Sequence, residues 1–151
     1  MKHLMLSFFL CLGLVYADPI EDIGNVLVYA LPAAALGVIA YNKDLIGLKQ
    51  YGLSSLVTEG VTFGLKYSVK ELRPNHYDYH SFPSGHSSTT FAAAEFLRKR
   101  YGWKFGVPAY ALAIFTAYSR VESKWHFTHD VVTGAGIGII YSFIFTTKKK
   151  S

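Results

Sequence analysis

A chain of 151 residues is the length of one domain, and 51% hydrophobic with 16% aromatic side chains is rich for a soluble protein of that size, so lipid is the expected surroundings. The formal charge of +5 does not mark a nucleic-acid binder, because the basic residues gather in small groups at the ends of apolar runs rather than on one polar face. The single cysteine, Cys11, excludes a disulfide, a thiolate metal cage and a cysteine nucleophile in the body of the chain.

Residues 1–17 have a basic start at Lys2 and His3, an apolar core from Leu4 to Val15, and Ala17 before Asp18. This reads as a secretory signal peptide, with an uncleaved anchor helix as the competing reading. Either way residue 18 leaves the cytoplasm, and residues 18–151 form the working domain.

The run 23–41 is almost uncharged and long enough to cross a hydrocarbon core of about 30 Å, with Pro32 kinking rather than forbidding a helix. A second, weaker span covers 53–67, where Gly60 and Gly64 are spaced for close helix contact and Glu59 must face the bundle interior as a structural polar contact. Lys66 and Arg73 lie seven residues apart, about two helical turns, so both cations can point the same way, and Pro74 then stops the helix with Arg73 at its end. The polar, aromatic stretch 75–82 is expected as a rim at the membrane surface, its His76 and His80 solvated.

Pro83, Ser84 and Gly85 read as a helix N-terminus, where free backbone N–H groups and the positive dipole end make an anion seat with His86 at its lip. The third, fourth and fifth helices are expected over 86–97, 105–118 and 131–146, the last carrying Gly134 and Gly138 for tight packing. Between the last two lies Tyr-Ser-Arg-Val-Glu-Ser-Lys-Trp-His-Phe-Thr-His-Asp, residues 118–130. Arg120 stands six before His126, and Asp130 follows His126 by four, one helical turn. Arg grips an oxyanion, His attacks or carries protons near neutral pH, and a carboxylate one turn away holds the imidazole tautomer. In isolation a helix-end histidine and an N-cap aspartate look the same. The clusters at Lys66–Pro74 and Ser81–His86 turn the reading to phosphate chemistry. His129 matches no such pattern and is expected to be solvated, with work behind Asp130 still open to it.

Together the three clusters resemble the type 2 phosphatidic acid phosphatase family, whose signature is K-x6-RP, then PSGH, then SR-x5-H-x3-D. Here those are Lys66 to Pro74, Pro83 to His86 and Ser119 to Asp130, with every spacing kept. The resemblance implies an all-α integral membrane bundle of about five helices. It also implies roles: His126 as the nucleophile that forms a phosphohistidine, Asp130 orienting it, His86 protonating the leaving alcohol, and Lys66, Arg73, Ser84, the Gly85 amide and Arg120 holding the phosphoryl oxygens. Phosphoryl transfer needs charge neutralisation and an in-line nucleophile and leaving group, so three fixed cations make a metal or other cofactor unnecessary.

An orientation test is independent of the resemblance. With residue 18 outside and a crossing at each span, the inner loops are 42–50, 98–104 and 147–151, which hold nine Lys or Arg, as the positive-inside rule asks. Lys66–His86 and Arg120–Asp130 then share the outer face. The expectation is a bacterial inner-membrane enzyme, its site toward the periplasm, acting on a phosphorylated membrane lipid. Phosphatidylglycerophosphate, undecaprenyl diphosphate, phosphatidic acid and lipid A phosphates fit equally, and oligomeric state has no signature. The alternatives are a soluble secreted acid phosphatase of the same superfamily and a non-catalytic membrane subunit that binds lipid phosphate.

Overall fold

A computed structural model describes residues 18–149; the segment expected as a signal peptide, 1–17, lies outside these. Five helices and no strand occupy the described residues: α1 (Pro19–Tyr41), α2 (Leu45–Val69), α3 (Gly85–Tyr101), α4 (Trp103–Glu122) and α5 (Thr128–Phe145). The five expected helices are present, but their ends differ for identifiable reasons.

α1 begins four residues earlier than hydropathy suggests because Asp18 caps it, accepting from the Ile20 amide at 2.9 Å, with Pro19 at the first turn and Glu21 and Asp22 meeting the dipole. α2 begins eight residues early. Asp44 caps it by accepting from the Gly47 amide at 2.9 Å, so the polar stretch expected as a loop is mostly helix. α3 runs on through Arg98, Lys99 and Arg100, which face the negative end of its dipole. Gly102, at φ +95°, then turns the chain into α4 within one residue, a conformation that suits glycine alone.

α3 is the central helix and packs on all four others. Its Ala93, Ala94 and Phe96 are buried, joined in the core by Leu31, Ala35 and Ile39 of α1 and Ala109 and Ala113 of α4. α5 lies close against α3 because Gly134 and Gly138 carry no side chain: a Cβ at either would run into the Ser84 or Ser88 carbonyl oxygen. The expected close contact at Gly60 and Gly64 is absent, since nothing lies within 4 Å of a Cβ built there. The close approaches fall instead at Gly24, against Ser119 and Arg120, at Gly47, against Asp44 and Arg100, and at Gly106, against Arg98.

Polarity is distributed the reverse of a water-soluble bundle. Ser54, Thr58, Thr62, Ser87, Ser88, Thr90, Thr116 and Ser142 are buried, while Val26, Leu56, Phe63, Ile114, Ile140 and Ile144 face outward. By length and composition, Pro19–Tyr41 and Thr128–Phe145 are each able to cross a membrane. Glu59 is half-buried and accepts a 2.5 Å hydrogen bond from Thr89 Oγ1, the structural contact expected of it.

Helix direction alternates through the bundle. The C-ends of α2 and α4 therefore meet the N-ends of α1, α3 and α5 at one end. At the other, the buried pair Arg100–Asp44 joins with Tyr101 and Thr147 to tie α1–α2, α3 and the tail after α5.

Candidate active site

The positions for which the resemblance implied a role in the reaction or in phosphate binding arrive at the first of these ends. Lys66, Arg73, Gly85, His86, Arg120 and His126 line one cavity of about 350 Å³, together with Glu21, Asn25 and Trp125. Ser84 and Asp130 stand behind its wall.

Each side chain has an identifiable support. Lys66, near the C-end of α2, donates to the carbonyl oxygens of His80 at 2.7 Å and Pro83 at 2.8 Å, holding the 70–84 connection over the cavity. Arg73 does not end a helix beside Lys66 as its spacing suggested. α2 stops at Val69, Lys70 turns left-handed at φ 52°, and Arg73 enters from the connection itself. Its Nε donates to Asp78 Oδ1 at 2.7 Å, its Nη1 donates to the Trp125 carbonyl at 3.0 Å, and its guanidinium lies 5.3 Å from the Trp125 ring centroid. Burial opposes ionisation of Asp78, but the His80 amide and the Arg73 guanidinium outweigh it and hold the carboxyl below its ordinary value.

Arg120 is buried at the C-end of α4. Its Nη1 donates to Asn25 Oδ1 at 2.8 Å and its Nη2 to the Glu21 carbonyl at 2.7 Å, which ties α1 to α4. His86 Nε2 lies 3.2 Å from the same Asn25 oxygen. Ser84 has a structural duty: its hydroxyl accepts from the Ser87 amide as the N-cap of α3, and its amide donates to the Asp130 carbonyl at 3.1 Å. The Gly85 position borders the cavity directly, at the helix N-terminus the sequence suggested.

His126 and Asp130 meet, though not on one helix face. His126 precedes α5, and Asp130, at its third position, turns back to the connection. Asp130 Oδ2 accepts from the Phe127 amide at 2.9 Å and from Ser81 Oγ at 2.5 Å, and stands 3.4 Å from His126 Nδ1. Asp130 is thus a helix-capping residue and the imidazole's neighbour at once. His126 Nε2 points the other way, into the cavity, 3.3 Å from Arg73 Nη1. Burial, then the charges of Arg73 and Lys66, lower the His126 pKa below its ordinary 6.5 against the pull of Asp130, so the ring is neutral at neutral pH.

Four contributors were given no role in the sequence reading. Asn25 was detectable as a lone amide in the otherwise apolar 23–41 run. Trp125 and Ser81 adjoin motif residues. Glu21, whose carboxylate accepts from Trp125 Nε1 at 2.7 Å, left no signal, because only the fold brings the start of α1 to this loop. Of the histidines expected to be solvated, His80 holds Lys66 through its carbonyl and packs edge-on against Tyr67. His129, 57% exposed, is engaged: its Nε2 is 2.9 Å from Glu71 Oε1 and 3.1 Å from Asp130 Oδ1.

The arrangement suits a tetrahedral oxyanion. Three cations surround a pocket that holds two imidazoles, one with its outward nitrogen free of the carboxylate that steadies it.

A family model described as "PAP2 superfamily" matches residues 47–150, which include all of these motif residues. The chain is 34% identical to a lipid A 4'-phosphatase of Helicobacter pylori, over 99% of its own length and 84% of that protein. It is 40% identical to a lipid A 1-phosphatase of Porphyromonas gingivalis over 65% of this chain, which spans about a fifth (21%) of that longer protein. In fold it matches the crystal structure of Aquifex aeolicus LpxE with a TM-score of 0.71 over 93% of both chains, at 21% identity. With the family model covering more than half of its length and a relative matched nearly end to end, the chain belongs to the PAP2 superfamily.

Proposed function

We propose that this protein is a membrane phosphatase that removes a phosphate from lipid A, through a phosphohistidine on His126. The observation that carries the reading is the position of His126 Nε2, directed into the cationic cavity 3.3 Å from Arg73 Nη1 while Nδ1 faces Asp130. That polarity leaves a lone pair on Nε2 toward the phosphorus and a proton on Nδ1 toward the carboxylate.

The reaction divides into two displacements. His126 Nε2 attacks phosphorus while Lys66, Arg73, Arg120 and the Gly85 amide neutralise the equatorial oxygens. The P–O bond to the lipid breaks, and His86 gives its proton to the departing alkoxide. A water molecule then attacks the phosphohistidine, His86 takes the water's proton, the P–N bond breaks, and inorganic phosphate leaves. The fixed cations supply the charge stabilisation that divalent ions provide elsewhere, so turnover is expected in the presence of chelator. Ser84 serves this site indirectly, by capping the helix whose N-terminus holds Gly85.

A lipid substrate is supported by a second cavity. An apolar groove of about 630 Å³ runs along Val28, Pro32, Ala33 and Leu36 of α1 and Phe63 of α2, and it shares Gly85 and His86 with the phosphate pocket. A hydrocarbon tail lying there leaves its headgroup phosphate at the mouth of the site. The outward apolar side chains argue against the soluble secreted alternative, and the intact set of cavity residues argues against a non-catalytic subunit. All five helices cross the bilayer in this reading. Residues 1–17 act as the export signal, and the nine Lys and Arg of the stretches 42–50, 98–104 and 147–151 stay in the cytoplasm with the site at the periplasmic face. Lipid A is favoured over the other lipids by the relative matched along nearly its whole length.

The test presents lipid A, phosphatidylglycerophosphate, phosphatidic acid and undecaprenyl diphosphate in detergent micelles to purified protein with chelator. Phosphate release is expected, fastest from lipid A. Release from none of the four sinks the catalytic reading, and a faster rate on another lipid sinks the choice of substrate.

The lowered His126 pKa sets a pH dependence. Protonation of Nε2 removes the nucleophile, so kcat/KM falls on the acid side through the His126 pKa, below 6.5. Arg73→Gln deletes a charge that lowers this pKa, so the acid limb is expected to move to higher pH while the overall rate drops. An acid limb that stays in place in Arg73→Gln contradicts the assignment.

A further inference from the structure

Two side chains beside the pocket, Glu71 and His129, are not used by the reaction, and both face the outer oxygen of Asp130. Glu71, His129 and Asp130 bring one ligand atom each to within 4.8 Å of one another. His129 Nε2 lies 2.9 Å from Glu71 Oε1 and 3.1 Å from Asp130 Oδ1. The imidazole is steadied by Phe127, whose ring stacks on it at 5.4 Å and 9°.

The hydrogen-bond count in this group does not close. A single Nε2–H serves one acceptor well, and here it is directed at Glu71. Asp130 Oδ1 lies near the same nitrogen without a hydrogen bond, and among the described residues it has no donor at all although the side chain is fully buried. A buried carboxylate oxygen that accepts no hydrogen bond is left short of the partners its charge calls for. Oδ2 meanwhile carries Ser81 and Phe127 and faces His126. The free oxygen therefore turns away from the nucleophile and toward Glu71 and His129.

We propose that Glu71, His129 and Asp130 Oδ1 bind a single divalent transition-metal ion, Zn²⁺ by preference, and that this ion inhibits the enzyme by drawing Asp130 away from His126. One imidazole and two carboxylates are a donor set for zinc rather than for magnesium or calcium, which favour oxygen alone. Metal–ligand bonds of about 2.0–2.2 Å separate tetrahedral ligands by roughly 3.3–3.5 Å. The observed separations of 2.9 and 3.1 Å from His129 need to open by a few tenths of an ångström, while the Glu71 and Asp130 oxygens, within 4.8 Å of each other, close onto the ion. His129 must present Nε2 unprotonated and carry its proton on Nδ1, so metal and proton compete for the same nitrogen. Water fills the remaining coordination position on the side where His129 is exposed. A dication on Oδ1 withdraws negative charge from the carboxylate that steadies His126, which weakens the imidazole as a nucleophile. The binding half of this proposal is independent of the enzymatic reading; the inhibitory half rests on it.

The experiment is calorimetric titration of Zn²⁺ into the purified full-length protein in detergent, beside phosphate-release rates with and without Zn²⁺. Wild type is expected to bind one Zn²⁺ per chain and to lose at least about tenfold in rate at saturation. Glu71→Gln and His129→Ala are each expected to weaken binding about 10–100-fold and to hold their own rate at the same Zn²⁺ concentration. His126→Ala is expected to bind Zn²⁺ as wild type does, which separates this site from the catalytic imidazole. No binding by wild type, unchanged binding by Glu71→Gln and His129→Ala, or lost binding by His126→Ala overturns the site. Zn²⁺ bound with no fall in rate overturns the inhibition while leaving the site standing, and if no substrate is turned over at all the calorimetry still decides the site.

Discussion

His126→Ala is expected to leave a folded protein with at least about 10⁴-fold lower turnover, some 5.5 kcal/mol of lost transition-state stabilisation. The cavity offers no second nucleophile in its place: His86 Nε2 is aligned with Asn25, and Lys66 is committed to two carbonyl oxygens. His86→Ala should differ in kind. Loss of the general acid costs about 10²–10⁴-fold on a poor leaving group. That deficit should shrink on an activated phosphate ester whose leaving group needs no proton, whereas the His126→Ala deficit should persist. Steady-state rates on the two substrate types, with a thermal melt to confirm folding, distinguish these outcomes. Comparable residual activity in His126→Ala would remove the nucleophile assignment.

At the other end of the bundle, Asp44→Ala is expected to destabilise the fold by about 3–5 kcal/mol, because it leaves the Arg100 guanidinium buried without its anion. Both side chains are 5% exposed, with Arg100 Nη2 and Nε donating to the two carboxylate oxygens at 2.6 and 2.7 Å and Tyr101 Oη donating at 2.9 Å. The hydrogen bonds from Arg100 hold the Asp44 carboxyl well below the usual carboxylate range, against the burial that opposes it. A depressed carboxylate pKa contributes stability above its unfolded value, which is lost as pH falls through the folded one. Replacing the pair together, as Asp44→Leu with Arg100→Met, should recover much of the loss, since the cost lies in the stranded charge. Thermal unfolding in detergent reads the shift. Specific activity below the melting transition should be retained, because this clasp is at the far end of the helices from the pocket. A melt unchanged in Asp44→Ala would show that the ion pair contributes no net stability.

These expectations draw differently on sequence and fold. Lys66, Arg73, Gly85, His86, Arg120 and His126 were legible as a set, because their spacings survive any detail of the path between them. Alternating helix direction then brings the ends that carry them together. Helix boundaries were less legible. Asp18 and Asp44 each start a helix by accepting first-turn amide hydrogen bonds on the side chain, two at Asp18 and one at Asp44, and hydropathy registers a capping carboxylate only as polarity. Glycine pairs show the same limit: Gly60 with Gly64 and Gly134 with Gly138 have identical spacing, and only the second pair meets a neighbouring backbone.

The sequence by itself determined the helical class and the apolar exterior, since composition and period act locally along the chain, and its three motifs marked the site residues through their resemblance to a known family. The tertiary structure alone decided what each cation touches. Arg73 reaches the pocket from a connection rather than a helix, Arg120 is anchored by Asn25 and Glu21 about a hundred residues away, and Asp130 shows one oxygen to His126 and the other to His129. Such pairings depend on where distant backbones come to rest, and a directional hydrogen bond is set by tenths of an ångström that no spacing in the sequence encodes.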